Sequence, residues 1–189
     1  MNFSIRPLLG VLILTTLLMS PAQTLSGTTP EEVKEFQEAK TKAEKGDAEA
    51  QNKVGHCYRT GMGVARDSTE GVKWIRKAAA QGNALAQCNL GICYQYGDGV
   101  EQDYAEAFKF FQMAADQGAT CGLANLAFCY KQGEGVEKNP VEAYAYYLAA
   151  GVDRWATEVG KSMSPDQIAV AKRRSKEIVA KITEKKAGK

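Results

Sequence analysis

"ALAQCNLGICYQYGDGVEQDYAEAFKFFQMAADQG", residues 84–118, is the middle copy of a pattern that occurs three times in this 189-residue chain. The flanking copies, AEAQNKVGHCYRTGMGVARDSTEGVKWIRKAAAQG from residue 48 and TCGLANLAFCYKQGEGVEKNPVEAYAYYLAAG from residue 120, begin 36 residues away on either side. A tyrosine and two loop glycines match in all copies: Tyr58, Gly61 and Gly63; Tyr94, Gly97 and Gly99; Tyr130, Gly133 and Gly135. A period of this length indicates stacked helical hairpins.

Each copy predicts two helices joined by a short turn. In the first helix Ala86, Leu90 and Tyr94 are spaced i, i+4 and i+8, which places them on one face. The second helix follows Asp103, and Glu106 comes three residues later, a pattern that resembles a capping box. The sequence therefore predicts an all-α fold, an α/α superhelical solenoid of about three 36-residue helix-turn-helix repeats. The repeats are residues 46–81, 82–117 and 118–151.

The turn between the two helices carries the closely spaced glycines that also occur in phosphate-binding loops. A nucleotide-binding loop needs further glycines, or Gly-Lys-Ser/Thr, after a strand, whereas this turn joins two helices. We expect Gly97 to end the first helix in a left-handed conformation and Gly99 to allow a close backbone approach. The turn is therefore interpreted as a hairpin hinge, not as a ligand site.

The first 22 residues have the pattern of a secretory signal peptide. They contain one charge, Arg6, an apolar run from Leu8 to Met19, and small residues before an expected cleavage site near Ala22. The apolar run is shorter than the roughly 17 to 25 residues of a membrane-spanning helix. We therefore expect an exported protein, periplasmic or secreted, with no transmembrane segment after cleavage and a flexible linker at residues 23–30.

Both flanks of the repeats predict capping segments. Residues 31–45 predict an N-terminal capping helix, and residues 152–189 predict C-terminal capping helices and a basic tail. The segment 161–189 has nine basic and three acidic residues, whereas 23–160 has 14 basic and 19 acidic. An acidic repeat body and export argue against nucleic acid as a partner. The basic face of the last helix, which carries Lys172, Arg173, Lys176 and Lys185, could contact acidic lipids, an acidic partner or water.

The repeated pattern, Ala-x-Ala-x-x-x-Leu-Gly-x-x-Tyr-x-x-Gly-x-Gly-Val followed by Ala-x-x-aromatic-x-x-x-Ala-Ala-x-x-Gly, resembles the Sel1-like repeat (SLR) family. This family is related to the tetratricopeptide repeats, and the resemblance covers about residues 46–151. It implies an α/α superhelix whose concave surface binds other proteins. In some bacterial members it also implies a role in export, envelope maintenance or host contact.

The faces of the first helices that are not turned to the core predict a binding groove. Asparagines along it could hold the backbone of an extended peptide, and Ile92 and Phe128 could supply apolar anchors. The expected groove residues are Asn52, His56, Arg59, Asn89, Ile92, Gln95, Asn125, Phe128 and Lys131. The sequence thus favours a monomeric module that binds a protein or peptide, with an envelope-associated structural protein acting through its basic last helix as the alternative.

The five cysteines fall into two groups. Cys57, Cys93 and Cys129 follow the 36-residue period, so they should lie on helices about 8 to 10 Å apart, too far for the Cα spacing of a disulfide. We expect these three to be small buried apolar residues. Cys88 and Cys121 break the period and lie on neighbouring first helices, so they are the pair expected if a disulfide forms. One thiol of five must in any case stay free or pair with another molecule.

The residues give little support to an enzymatic function. Exported cysteine-rich members of the family have been associated with binding or hydrolysing β-lactams, but Ala79 and Ala115 stand where those proteins have cysteines, and no serine precedes a lysine by three positions. His56 is the only histidine, so no histidine pair can bind zinc. We expect a non-enzymatic protein with no cofactor, no metal and no catalytic residue.

Overall fold

The computed structural model describes residues 28–188 and shows, over that range, an all-α solenoid without strands. The predicted fold class is confirmed, whereas the predicted signal peptide and most of the linker lie outside the described residues. The helices are α1 (Pro30–Glu44), α2 (Ala48–Thr60), α3 (Ser68–Ala80), α4 (Ala84–Tyr96), α5 (Tyr104–Asp116), α6 (Thr120–Gln132), α7 (Pro140–Ala149), α8 (Asp153–Gly160) and α9 (Pro165–Ala187).

The helices pack as a linear series of hairpins. The pairs α2/α3, α4/α5 and α6/α7 form the three hairpins, and the second helix of one hairpin packs on the first helix of the next. The helix α1 packs on α2 in the same way. Each first helix therefore lies between two second helices, which is how a repeat array buries a continuous core.

The hairpin turn places its two glycines in different surroundings. Gly97 ends α4 with φ of +68°, and its amide donates a hydrogen bond to the carbonyl of Cys93. Gly99 has φ of +79°, and a Cβ there would lie 2.5 Å from the carbonyl carbon of Ser68 and nearer still to its oxygen. The turn therefore rests directly on the backbone of the preceding hairpin. The equivalent contacts join Gly63 to Glu32 and Gly135 to Tyr104.

Side chains at the predicted positions cap the second helices. Asp67, Asp103 and Asn139 each accept a backbone hydrogen bond from the first turn of α3, α5 and α7. Complete capping boxes, in which the third residue also reaches back, occur instead at α1 and α9. The helices at the two ends of the described array, α1 and α9, are thus the more fully capped ones.

Aromatic side chains connect the core across hairpins. Tyr130 stacks on Tyr146 of its own hairpin with ring centroids 5.6 Å apart, and it meets the edge of Phe108 of the preceding one, also at 5.6 Å. Tyr94 stacks on Phe110 in the same way, at 5.7 Å. Tyr94 and Tyr130 are therefore partly buried residues that pack the end of each first helix against the core.

The last helix departs from the repeat. The helix α9 packs along α7, where it buries Ala171 and Ile178, and it does not form a closely packed hairpin with α8. Arg174 pairs with Glu142 of α7 at 3.0 Å. The second helix of the last repeat is thereby covered, which closes this end of the array. In residues 28–188 the structure contains no helix with the length and apolarity needed to cross a membrane.

Candidate functional site

The first helices line the inner surface of the array. Neighbouring first helices, α2 with α4 and α4 with α6, touch one another directly, whereas neighbouring second helices approach each other less closely. An array that is tighter on one side curves toward that side. The exposed faces of α2, α4 and α6 are therefore the candidate concave surface, which is called the groove below.

The groove is most apolar along α4. Leu85, Asn89, Ile92 and Tyr96 share one outward stripe of this helix, opposite the buried Leu90. Leu85 is 56% exposed and Tyr96 is 69% exposed, while Ile92 is half-buried. The helix thus carries large apolar side chains both on its core face and on its solvent face, a distribution that is usual for a helix with partners on all sides.

The equivalent stripes on the neighbouring first helices differ in character. On α2 the stripe is polar: Glu49, Lys53, His56 and Thr60. On α6 it is mixed: Cys121, Asn125, Phe128 and Gln132, with Phe128 half-buried. The apolar part of the groove therefore spans α4 and α6, and its other end is charged.

The asparagines form part of the groove floor. Asn52 is only 7% exposed and accepts a hydrogen bond of 2.9 Å from the amide of Asn89. The amide of Asn125 contacts the Cys88 sulfur at 3.6 Å and donates to the Cys121 carbonyl at 2.9 Å. The contact between Asn89 and Asn52 arises because Asn52 is one position out of register with Asn89 and Asn125, whose equivalent on α2 is Lys53. We therefore revise the role of Asn52, which holds the first helices together and presents little surface to a ligand.

The far edge of the groove is a series of polar contacts between repeats. Arg59 donates to Asp98 of the next turn at 2.9 Å, and the equivalent Gln95 donates to Glu134 at 2.8 Å. Gln95 is 3% exposed, so it too is a structural residue and not a surface for a ligand. Lys131, the third residue of the series, is exposed and forms no ion pair with any described residue.

The contact of Arg59 with Asp98 also affects the pKa of the Asp98 carboxyl. Burial opposes the charged form of Asp98, but hydrogen bonds from Ser68 and Arg59, together with the charge of Arg59, outweigh burial and lower the pKa of this carboxyl. Only about a fifth of each side chain is exposed. The turn of the second repeat is thus tied electrostatically to the end of α2 in the first.

The cysteines fall into the two groups that the 36-residue period predicts. Cys57, Cys93 and Cys129 are buried, and burial raises the pKa of Cys93 to about 11 and that of Cys129 to about 12. Cys88 and Cys121 are neighbours, since the amide of Asn125 contacts both residues and each thiol shifts the pKa of the other. The structure therefore brings together the two cysteines that leave the period.

The described part of the chain offers the groove no cluster of metal-binding side chains. Over residues 28–188 there is no group of three or more His, Cys, Asp or Glu side chains placed to hold a metal ion. His56 is exposed on the polar stripe of α2. The chemistry that the groove offers is the burial of apolar side chains, together with scattered hydrogen-bonding groups.

Two groove residues were missed by the sequence reasoning. Leu85 and Tyr96 lie seven residues before and four residues after Ile92, which places them on the same helical stripe. Leu85 lies in the first turn of α4 and Tyr96 is its last residue, and helix ends are where periodicity is hardest to assign. The sequence does indicate them, because α4 has a second set of apolar residues at helical spacing. This set lies on a different face from the core-facing set that contains Leu90.

Comparisons with known proteins identify relatives of the repeat array. A protein-family model described as Sel1 repeat matches residues 48–83, 84–118 and 122–151. The structure of a protective antigen present in uropathogenic Escherichia coli strains, described as displaying an SLR fold, is 26% identical with a TM-score of 0.58 over 81% of this chain and 42% of its own. A Sel1 repeat protein from Oxalobacter formigenes is 29% identical with a TM-score of 0.64, over 77% and 64%. The chain thus spans less than two thirds of either solved protein. No curated protein matches it.

Proposed function

The chain belongs to the Sel1 repeat family, and from this premise we propose that it is a non-enzymatic adaptor that binds a segment of a partner protein in its concave groove. Sel1 repeats generally mediate protein interactions, and the family is generally a repeat scaffold without enzymatic activity. The proposal adds that the protein is exported, and that the partner segment lies across α4 and α6.

The exposed apolar stripe of α4 carries the proposal. Single exposed apolar residues are normal on a protein surface, but Leu85, Ile92 and Tyr96 share one helical stripe that only Asn89 interrupts. Phe128 extends the row onto α6. Buried aromatic side chains are among the residues that usually dominate binding energy at an interface, and Tyr96 and Phe128 supply them here.

Polar groups beside this row support recognition of a peptide. The Asn89 amide uses one hydrogen toward Asn52, which leaves its second hydrogen and its carbonyl for a ligand. Asn125 uses its amide hydrogens on Cys88 and Cys121, so only its carbonyl remains. This arrangement fits a partner segment whose apolar side chains are about as far apart as α4 and α6. The backbone groups between those side chains must be free to form hydrogen bonds.

The groove is tested with paired surface variants. The mature chain carrying Leu85→Ala and Tyr96→Ala loses about tenfold or more in partner capture, measured by quantitative crosslinking and pull-down from envelope extract. The matched control carries Met113→Ala and Val179→Ala, which are comparably exposed on α5 and α9 and lie outside the groove. Both variants should keep wild-type helicity because they remove exposed atoms. Equal capture by the two variants would refute groove binding.

Export is proposed from the first 22 residues, and the measurement is the N-terminal sequence of the protein recovered from the cell envelope. A mature chain that begins at Gln23 supports the proposal. A full-length chain retained in the cytoplasm contradicts it, and the groove would then need an intracellular partner.

A separate observation supports the competing role, in which the basic face of the last helix makes the contact. Lys172, Arg173 and Lys176 are exposed and form no ion pair with any described residue, whereas Lys185 pairs with Asp116 at 3.2 Å. Deleting α9 would uncover α7, so charge reversal is the cleaner test. With Lys172→Glu, Arg173→Glu and Lys176→Glu, capture should be unchanged if the groove binds the partner. Capture lost here, and kept in the groove variant, would favour the basic face.

A further inference from the structure

Cys88 and Cys121 lie where the first helices of two successive repeats, α4 and α6, meet at the groove. Cys88 lies in α4 and is 1% exposed, while Cys121 lies in the first turn of α6 and is half-buried. The two side chains are near enough for each to shift the pKa of the other. The Asn125 amide holds both residues in place, through the Cys88 sulfur at 3.6 Å and the Cys121 carbonyl at 2.9 Å.

The two thiols differ in reactivity. The neighbouring Cys88 thiol, together with the backbone amides of Gly122 and of Cys121 itself, lowers the pKa of Cys121 although burial acts in the opposite direction. Those amides are available because α6 begins after Ala119, which provides no side-chain cap. The pKa of Cys88 is raised by the neighbouring Cys121 thiol and by burial. The accessible sulfur is therefore the nucleophile, and the buried one can act only after it.

The other cysteines show that this contact is particular to the pair. Cys57, Cys93 and Cys129 occupy equivalent positions on α2, α4 and α6, and all are buried. No described contact places any of them beside a second sulfur. Reactivity, contact and partial access coincide only at Cys121, with Cys88 behind it.

We infer that Cys88 and Cys121 are a redox-active pair that forms a disulfide between the second and third repeats by exchange with an external disulfide. The Cys121 thiolate attacks one sulfur of that disulfide, and the other sulfur leaves as a thiolate that takes up a proton. Cys88 then loses its proton and attacks the Cys121 sulfur of the mixed disulfide, which releases the second external thiol. The two protein thiols are oxidised and one external disulfide is reduced to two thiols.

This inference does not depend on the proposed partner. A disulfide here would fix the spacing of α4 and α6 where the groove is most apolar. The groove could therefore be held in one geometry under oxidising conditions and relax under reducing conditions.

The experiment uses the reduced mature chain in a glutathione buffer rich in the oxidised form. Free thiols are blocked by alkylation, and the proteolytic peptides are identified by mass. The expected product is one linked peptide pair containing Cys88 and Cys121, two hydrogens lighter than the reduced peptides. Cys57, Cys93 and Cys129 should be alkylated only after unfolding. Oxidation should also raise Tm by about 5 °C or more.

Two variants separate the steps of the exchange. Cys88→Ala should accumulate a mixed disulfide between Cys121 and glutathione, because the resolving thiol is missing. Cys121→Ser should form neither the mixed disulfide nor the internal one, and Cys57→Ser serves as a control that oxidises like the wild type. A Cys121 that stays free in the folded wild type, or a linkage that involves any other cysteine, would overturn the inference. The wild-type peptide map gives this answer even if a variant fails to fold.

Discussion

Replacing Gly97 and Gly99 separately by alanine tests whether each hairpin turn rests on the backbone of the preceding hairpin. Both glycines have positive φ, +68° and +79°, so alanine at either site adopts a left-handed conformation. That strain costs about 1 to 2 kcal/mol. The two sites differ in the space around the new Cβ. At Gly97 the nearest atoms lie 3.5 Å away, which is ordinary contact.

At Gly99 there is no room for the methyl group. The new Cβ would lie 2.5 Å from the carbonyl carbon of Ser68, a backbone atom that cannot rotate away. The turn and the start of α3 would have to separate by roughly 1 Å, and overpacking of this kind costs about 1 to 3 kcal/mol. The total for Gly99→Ala is therefore about 2 to 5 kcal/mol, against about 1 to 2 kcal/mol for Gly97→Ala.

Urea unfolding followed by far-UV circular dichroism measures the difference. Gly99→Ala should have the lower midpoint, with a free energy of unfolding about 1 to 3 kcal/mol below that of Gly97→Ala. The pair Gly133→Ala and Gly135→Ala repeats the comparison in the third hairpin, where Gly135 rests on the backbone of Tyr104. Equal losses within each pair would refute the argument, because positive φ would then account for the whole effect.

Two further predictions concern caps and charge. Ala119→Asp should stabilise the protein by about 1 kcal/mol, visible as a higher Tm, since α6 lacks the side-chain cap that Asp47 gives α2. No change, or a loss, would show that the first turn of α6 needs no cap. Asp98→Asn should lower the free energy of unfolding at pH 7 and have little effect in acid, because Ser68 and Arg59 lower the pKa of Asp98 despite burial. A depressed pKa gives stability above the unfolded pKa that is lost as pH falls through the folded one. A deficit that persists at low pH would contradict this account.

The fold could be predicted from the sequence because the residues that define it repeat. Tyr94 and Gly99 recur in every copy, Leu90 is matched by Val54 and Leu126, and each position faces either the core or a neighbouring backbone. A buried position has few acceptable side chains, so the period carries strong information about packing. The capping residue Asp103 was predictable for the same reason, since an unpaired helix terminus requires an acceptor at one place.

The groove residues were less predictable because the position of a residue around a helix indicates which way its side chain points but not how deeply that side chain is buried. Asn52 and Gln95 lie at the margin of the exposed face, and contacts with the neighbouring repeat cover them. The offset of one residue between Asn52 and Asn89 creates a bond between hairpins that no single helix reveals. The pairing of Cys88 with Cys121 was suggested by register, but the anchoring amide of Asn125 emerges only from the packed structure.

The repeat also indicates where specificity can lie. Positions that face the core must keep their character in every hairpin, as Leu90 and Leu126 do, because each hairpin is buried against the next. Positions on the groove stripe have no such constraint. There the first hairpin has Glu49 and the second has Leu85 at the equivalent place. If a partner is recognised through the groove, the information that selects it resides in these non-repeating positions. Exchanging the stripe residues between α2 and α4 should therefore alter which segment binds while leaving the solenoid folded.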